Sequence, residues 1–264
     1  MREVLPHVQV HMPFRDLFDR YLPLVLEKGL NPEISFDAFT LERFRGDDYR
    51  RIADALGEAG RSVTFHAPFM DLRPGAVDPA IRRASVERIQ QVFDLAPLFS
   101  PRSIVCHPSF DHRYYVSTEE LWLENSIGTW TSFSRLALDL DTTVVLENVY
   151  ERTPRPLERL LAACNSPRLR FCFDTGHCHA FSQAPLEDWM AAMSPYLFQL
   201  HLHDNQGAAD EHLAVGSGTF PFSRLFHFLN DRGIRPILTL EAHSEKTLWE
   251  SLANMGKLHG AIHP

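Results

Sequence analysis

The hydrophobic pattern alternates between two kinds of segment along the whole chain. Short runs rich in β-branched and aromatic residues, such as 62–66 and 197–203, are typical of buried strands. Longer runs with apolar residues three and four positions apart, such as 79–99, indicate amphipathic helices. One strand and one helix together recur about every thirty residues, the arrangement that is typical of parallel α/β sheets.

This pattern predicts eight strand–helix units. The predicted strands are 4–10, 33–36, 62–66, 103–107, 143–147, 169–174, 197–203 and 237–241. The predicted helices are 14–28, 49–59, 79–99, 118–140, 156–164, 186–193, 222–230 and 245–258. Eight such units predict an α/β protein with a single (β/α)8 TIM barrel, and no linker divides the domain expected over 1–264. A doubly wound open sheet is the alternative, but no glycine-rich phosphate loop follows an early strand.

The composition excludes several classes of partner. Of the 264 residues, 44% are hydrophobic and 23% are charged, as in ordinary globular proteins. A net charge of −8 argues against nucleic acid as a partner, because a nucleic-acid reader needs a basic face. Four cysteines without CxxC spacing, and the absence of a signal-like or membrane-spanning run, predict a cytoplasmic protein that does not bind a membrane. No sequence feature indicates an oligomeric state.

Side chains that can bind metal recur where the predicted strands end. Six strands end on such a residue, and three more follow in the adjoining loops. They are His66, His107, Glu147, Asp174, His201 and Glu241, then His177, Asp210 and His212. A single buried histidine is usually a hydrogen-bonded core residue, but coincidence explains nine such positions poorly. Because the carboxyl ends of barrel strands form one mouth, we expect all nine to converge there.

These donors predict a divalent-metal cofactor. Mixed imidazole and carboxylate ligation suits Zn²⁺ or Mn²⁺, with iron and cobalt as alternatives. Since one ion takes three or four protein ligands, nine residues suffice for one to three ions, with Glu147 and Glu241 free to bridge. His203 shares the strand face of His201 and is interpreted as supporting the ligands or contacting substrate. Cys106 and Cys178 are interpreted as buried thiols rather than ligands.

The same residues carry a family resemblance. The motifs are FHAPF around His66, CHPSF around His107, LENVY around Glu147, FDTGHCHAF around Asp174, HLHDNQG…DEHLAVGSGTF from His201 and TLEAH around Glu241. In this order they resemble the xylose isomerase-like TIM-barrel superfamily over essentially the full chain. That superfamily contains sugar isomerases and epimerases, inosose-processing enzymes and the endonuclease IV DNA-repair enzymes.

The resemblance implies two nested ligand sets. The isomerase–epimerase tetrad corresponds to Glu147, Asp174, His201 and Glu241. The endonuclease IV pattern, which holds three zinc ions, adds His66, His107, His177, Asp210 and His212. Many epimerases of the group carry an arginine shortly after the histidines of the seventh strand, whereas Asp-Asn-Gln-Gly follows His203 here.

Two activities therefore stand as hypotheses. The first is a sugar or sugar-phosphate isomerase or epimerase, in which Glu147 and Glu241 transfer a proton through a metal-stabilised enediolate. The second is an endonuclease IV-like metallophosphoesterase acting on a small phosphoester rather than DNA. The number of ligands favours hydrolysis, while size, acidity and resemblance favour isomerisation, which we take as the leading hypothesis. A metal-binding protein without catalysis is a third class.

Loop residues around the predicted mouth suggest how substrate is held. The arginines are Arg43, Arg45, Arg73, Arg113, Arg152 and Arg155, and the tyrosines are Tyr114, Tyr115 and Tyr150. Arginine forks suit phosphate or carboxylate groups. We therefore expect a small-molecule substrate, including a phosphorylated or carboxylated sugar, to contact Arg113, Tyr115, Arg152 and His203.

Overall fold

Eight parallel strands form a closed barrel in the computed structural model, which describes residues 5–262. Each strand pairs with the next along the chain, and the ring closes where Val10 of the first strand lies beside Leu240 of the last. The strands are β1 Val8–Pro13, β2 Asn31–Ser35, β3 Thr64–His66, β4 Ile104–Cys106, β5 Val144–Glu147, β6 Leu169–Asp174, β7 Leu197–Leu202 and β8 Ile237–Leu240. The (β/α)8 prediction is confirmed, and the open-sheet alternative is wrong.

Helices connect successive strands. They are α1 Phe14–Asp16, α2 Leu22–Lys28, α3 Ala38–Arg43, α4 Gly46–Glu58, α5 Pro79–Phe93, α6 Ala96–Phe99, α7 Glu119–Asp139, α8 Arg155–Cys164, α9 Thr175–Phe181, α10 Leu186–Met193, α11 Phe222–Asp231 and α12 Glu245–Ile262. A 3-10 turn at Leu5–His7 precedes β1, and a π-helical turn at Leu17–Tyr21 joins α1 to α2. Within the described part of the chain, no helix combines the length and hydropathy needed to cross a bilayer.

Several predicted boundaries are wrong, for local reasons. The first strand was expected over 4–10, but a 3-10 turn occupies residues 5–7 and the strand begins at Val8; residue 4 lies outside the described residues. The helix expected over 79–99 is interrupted, because Pro97 has no N–H to donate and a new short helix begins at Ala96. α3 and α9 were not predicted, since each has fewer than two full turns in which to show periodicity.

The barrel interior beneath the strand ends is lined mainly by small and neutral side chains, with the carboxylate of Glu33 among them. Val105, Val145 and Cys172 form a separate apolar cluster within it. Thr64, Gln199 and Thr239 are also fully buried. This layer supports the polar side chains at the carboxyl ends of the strands.

Candidate metal centre

Glu147, at the end of β5, lies at the centre of the cluster that the strand ends form. It is 1% exposed and has four imidazoles around its carboxylate. Its Oε2 lies 3.2 Å from His66 Nε2 and 3.3 Å from both His107 Nε2 and His201 Nδ1. Its Oε1 lies 3.1 Å from His177 Nδ1. Residues from four different strand ends and the start of α9 thus meet at one carboxylate.

A second carboxylate, Glu241, follows β8 and shares an imidazole with Glu147. Glu241 Oε1 lies 3.0 Å from His201 Nδ1, the nitrogen that also faces Glu147. Glu241 Oε2 lies 3.8 Å from His203 Nε2 and 3.9 Å from His212 Nδ1. The two glutamates therefore approach the same imidazole nitrogen, and both line one cavity.

Asp174 and Asp210 complete the cluster. Asp174 caps α9 by accepting a hydrogen bond from the His177 backbone N–H at 2.6 Å, and His203 Nε2 lies 3.0 Å from both of its carboxylate oxygens. Asp210 Oδ2 lies 3.4 Å from His177 Nε2 and 3.1 Å from His212 Nε2. All nine side chains predicted from the strand ends and loops are therefore brought together; their roles as ligands stay predictions.

The electrostatics of the cluster keep Glu147 and Glu241 ionised, because neighbouring imidazoles hold the pKa of each carboxyl low. Burial alone raises the pKa of Glu147, but neighbouring His201 and His107 hold the pKa well below its ordinary value. Glu241 behaves similarly, since burial is outweighed by His201 and the pKa is held well below the usual range. Burial lowers the pKa of His177, yet Asp174 and Asp210 raise it well above the ordinary value. Ionised carboxylates are the form in which these residues bind a cation.

The donor set fits a divalent metal. Within the part of the chain that the structure describes, five buried atoms of the cluster lack a hydrogen-bond partner: His107 Nε2, His201 Nδ1, His203 Nδ1, His212 Nδ1 and Asp210 Oδ1. Each such atom costs about 1–3 kcal/mol unless something satisfies it, and a cation does so. Trios with donor atoms within 4.8 Å of one another include His66–His107–Glu147, His66–His201–Glu241, Asp174–His177–His203 and His203–His212–Glu241.

Sequence reasoning missed Glu33, which supports the cluster from below. This β2 residue is fully buried, and its Oε1 lies 2.9 Å from His201 Nε2. Its Oε2 accepts hydrogen bonds from Thr64 Oγ1 at 2.9 Å and Thr239 Oγ1 at 3.2 Å, and another from the Gln199 amide. The available signal was a glutamate that opens the predicted strand 33–36, but the sequence does not show whether a residue at the start of a strand faces the barrel interior.

Two further histidines adjoin the cluster without having been predicted. His11 on β1 packs edge-on against His66, with ring centroids 5.7 Å apart. His243 stacks on His212 with a centroid distance of 3.9 Å, and His212 stacks in turn on His203 at the same distance. His11 and His243 both line the cavity above the cluster.

The four residues predicted to contact substrate lie in different surroundings. Tyr115 does not face the mouth, because its ring is 1% exposed and packs against Phe110 and Trp122. His203 is buried among the candidate ligands rather than at the cavity surface. Arg113 and Arg152 are exposed side chains that the cavity lining does not include. Their contact with substrate stays an untested prediction.

The cluster forms the floor of a cavity of about 510 Å³ at the carboxyl end of the barrel. Its rim comes from the loops after β3, β4 and β5, with Phe69, Met70, Asp71, Leu72, Arg73, Ser109, Asp111, Val149 and Tyr150 among the lining residues. Asp71, Ser109 and His212 adopt left-handed backbone conformations with φ of +61°, +56° and +50°. Non-glycine residues in this conformation cluster at functional sites.

The barrel, the cluster at its strand ends and the sequence together define the class of protein to which this chain belongs. A family model described as "Xylose isomerase-like TIM barrel" matches residues 32–258, so the chain belongs to that family and the resemblance is confirmed. Among curated proteins, the uncharacterized protein MJ1311 of Methanocaldococcus jannaschii is 27% identical over 186 residues. That match covers 68% of this chain and 64% of MJ1311, so the chain spans just under two thirds of that relative.

Solved structures share the fold over nearly the whole chain. TTHB071 protein from Thermus thermophilus, in crystals soaked with ZnCl2, is 26% identical with a TM-score of 0.81. The match covers 98% of this chain and 100% of that one. A D-tagatose 3-epimerase-like protein is 20% identical with a TM-score of 0.81, covering 96% and 97%.

Proposed function

We propose that the protein is a divalent-metal-dependent isomerase or epimerase acting on a sugar or sugar phosphate. The observation that carries this proposal is that Glu147 and Glu241 both approach His201 Nδ1, at 3.3 and 3.0 Å, and both line one cavity. Moving a proton next to a sugar carbonyl requires one group to remove it and another to return it. The 3-epimerase-like neighbour, which has the same fold, supports a sugar as the substrate.

Glu147, Asp174, His201 and Glu241 would hold the catalytic ion. When bound, Zn²⁺ or Mn²⁺ supplies Lewis-acid stabilisation of negative charge on adjacent sugar oxygens. The soaked structure of the Thermus relative supports zinc as one candidate. Among these four residues, His201 has a buried Nδ1 without a hydrogen-bond partner, which a bound cation would satisfy.

The protein residues then divide the work of proton transfer. Glu147 ends β5 and Glu241 follows β8, and these strands lie on opposite sides of β7, which carries His201; each glutamate would therefore approach a substrate carbon from its own direction. Both are almost fully buried, which excludes bulk water and strengthens the electrostatic interactions at the reacting carbon. His201 is held from below by Glu33, whose Oε1 lies 2.9 Å from His201 Nε2.

The test is conservative replacement of each glutamate. Glu147→Gln and Glu241→Gln should each lower sugar turnover by about 100-fold or more, the usual contribution of an acid–base group. Exchange of the substrate C–H hydrogen with D2O, followed by NMR at saturating metal, measures the step directly. Glu58→Gln, at an exposed position on α4, is the matched control. Most activity surviving in Glu241→Gln would contradict its assigned role.

Phosphoester hydrolysis is a second candidate, because His66–His107–Glu147 and Asp174–His177–His203 share no residue. Two independent donor groups suit two ions that activate water and stabilise a leaving oxygen. The net charge of −8 favours a small phosphoester over DNA in that case.

The double variant His107→Ala with Asp210→Ala separates the two candidates. Removing these donors should lower the metal content to about one ion, retained by the tetrad. An isomerase keeps measurable sugar turnover with that ion, whereas a multi-metal phosphoesterase loses hydrolysis. The assay uses phosphorylated sugars, unphosphorylated ketoses and a generic phosphodiester in parallel.

A further inference from the structure

The cavity rim exposes several large apolar side chains. Phe69 is 42% exposed, Met70 is 72% exposed and Tyr150 is 44% exposed, and all three line the cavity above the metal cluster. Exposed apolar groups gathered at one concave site are typical of a binding surface. The rim thus differs chemically from the cavity floor, which consists of imidazoles and carboxylates.

Two of these rings are held in place by neighbours. The Phe69 ring stacks on His107 with centroids 4.4 Å apart and an interplanar angle of 24°. Tyr150 packs against Phe181 with centroids 5.2 Å apart, and the guanidinium carbon of Arg113 lies 5.8 Å from the centre of the Tyr150 ring. Because each ring has one face or edge supported and remains partly exposed, each offers a preorganised surface for a second ring.

The charged residues that line the rim are Asp71, Arg73 and Asp111, and Arg113, which is not among the lining residues, pairs with Asp111. Arg113 donates hydrogen bonds from Nε and Nη2 to Asp111, at 3.1 and 2.9 Å. Arg73 places its guanidinium 3.9 Å from the ring centre of Tyr114. The carboxylates of Asp71 and Asp111 line the same rim as Arg73. Above the cluster, the rim therefore has no cationic surplus to select a second anionic group.

The cavity exceeds what the reacting part of a sugar needs. Its volume of about 510 Å³ lies within the range of roughly 300–1,000 Å³ that holds drug-sized ligands. A polar floor beneath an apolar, charge-balanced rim suits a ligand with two chemically different parts. One part carries oxygens for the floor, and the other is uncharged and apolar.

We propose that the substrate is a sugar-like molecule bearing an uncharged aromatic substituent, which stacks on Phe69 and Tyr150 at the rim. This inference rests on the proposed function for the chemistry at the floor, and it names a substrate class narrower than sugar or sugar phosphate. The loop arginines suggested a phosphate or carboxylate on the substrate. In this proposal the distal end of the substrate carries an uncharged aromatic group instead.

Ligand binding tests this subsite without turnover. Phenyl and methyl glycosides of the same set of sugars are titrated into the zinc-loaded protein by calorimetry. The phenyl compound of the best-bound sugar should bind about tenfold more tightly, as expected for a stacked ring pair. Phe69→Ala and Tyr150→Ala should each reduce this preference, and Tyr150→Phe should retain it. Phe39→Ala, at a 56% exposed phenylalanine outside the cavity lining, should leave it unchanged.

Two results would overturn the subsite. One is equal affinity for phenyl and methyl glycosides in the wild-type protein. The other is a phenyl preference that persists when both rings are removed together. Loss of turnover in the glutamate variants concerns the floor alone, so failure of the proposed reaction and failure of the aromatic subsite are distinguishable. Tyr150→Ala leaves His107 untouched, which guards against an indirect effect of Phe69→Ala on the metal cluster.

Discussion

At the scale of single residues, Glu33 shows how the barrel interior prepares the site above it. Its carboxylate faces His201 Nε2 on one side and two threonine hydroxyls on the other. A carboxylate behind a histidine ligand fixes the ring orientation and raises the basicity of the metal-facing nitrogen. Glu33 is thus a positioning residue rather than one that touches substrate.

Glu33→Gln should therefore weaken metal binding by about 10- to 100-fold, the usual effect of losing such support. Zinc affinity is measured by competition with a chromophoric chelator, and circular dichroism confirms that the barrel is folded. Glu58→Gln serves again as the exposed control. Unchanged zinc affinity in a folded Glu33→Gln protein would show that His201 needs no such partner.

Glu151 gives a prediction about pH. Burial raises the pKa of this carboxyl from 4.5 to about 7, although it accepts a hydrogen bond from the Val149 N–H at 2.7 Å. Because the folded-state pKa exceeds the unfolded-state value, the folded state binds the proton more tightly. Its stabilising contribution is complete below about pH 4.5 and is lost as pH rises through about 7.

Glu151→Gln removes that titration and should be more stable than the wild-type protein above pH 7, by up to about 3 kcal/mol. Denaturant unfolding of both proteins at pH 5 and pH 8 measures the difference. The stability gap should widen toward pH 8. A gap that is constant with pH would mean that Glu151 does not titrate in this range.

Nine candidate ligands were predictable because barrel topology brings strand ends together regardless of their distance in sequence. Glu33, His11 and His243 were not, for a physical reason. Whether a polar residue inside a strand faces the barrel interior depends on register, and whether a loop histidine such as His243 folds inward depends on tertiary packing. The burial of Tyr115 is a similar case, since an aromatic loop residue has the same sequence signature whether it faces solvent or core.

At the scale of elements, the short helix α9 connects β6 to the cluster and packs against the ring of His203, which follows β7. It begins directly after β6, with Asp174 as its cap and His177 in its first turn. Gly176 sits where the His203 ring crosses the helix, and a Cβ placed on Gly176 would collide with that ring at Cε1 and Nδ1. The glycine is required there for close approach rather than for an unusual backbone angle.

Gly176→Ala should consequently displace His203, lower the thermal stability and weaken zinc binding. Gly128→Ala is the matched control, since Gly128 is an exposed position on α7 where an added Cβ would have nothing within 4 Å. That control should gain up to about 1 kcal/mol from the higher helix propensity of alanine. Equal behaviour of the two variants would contradict the close packing of His203 on α9.

The longer elements were predictable and the short ones were not. Helices such as α7 and α12 repeat their apolar positions over several turns, whereas α3 and α9 offer only one or two. The sequence does contain a capping residue for α9, since Asp174 accepts a hydrogen bond at the start of that helix. The motif analysis predicted Asp174 only as a metal ligand. A residue with two local roles shows one of them in the sequence and the other in the structure.

At the scale of the whole molecule, the closed barrel and family membership follow from the order of motifs, while the cavity above the cluster does not. Its volume and aromatic rim depend on how the loops after β3, β4 and β5 pack together, as where Arg73 lies over Tyr114 and Arg113 over Tyr150. Loop arginines suggested an anionic substrate, yet Arg113 is paired with Asp111 in the folded protein. Side-chain pairing within the loop after β4 therefore changed the expected substrate more than any single motif did.

The most direct test of the proposed chemistry is the metal itself. Crystals grown with ZnCl2 are measured on both sides of the zinc absorption edge, and zinc in solution is quantified by elemental analysis. We predict at least one ion at the barrel mouth, with Glu147, Asp174, His201 and Glu241 as its ligands. Anomalous density confined to other sites, with these four side chains unliganded at saturating zinc, would contradict the proposed metal-dependent chemistry.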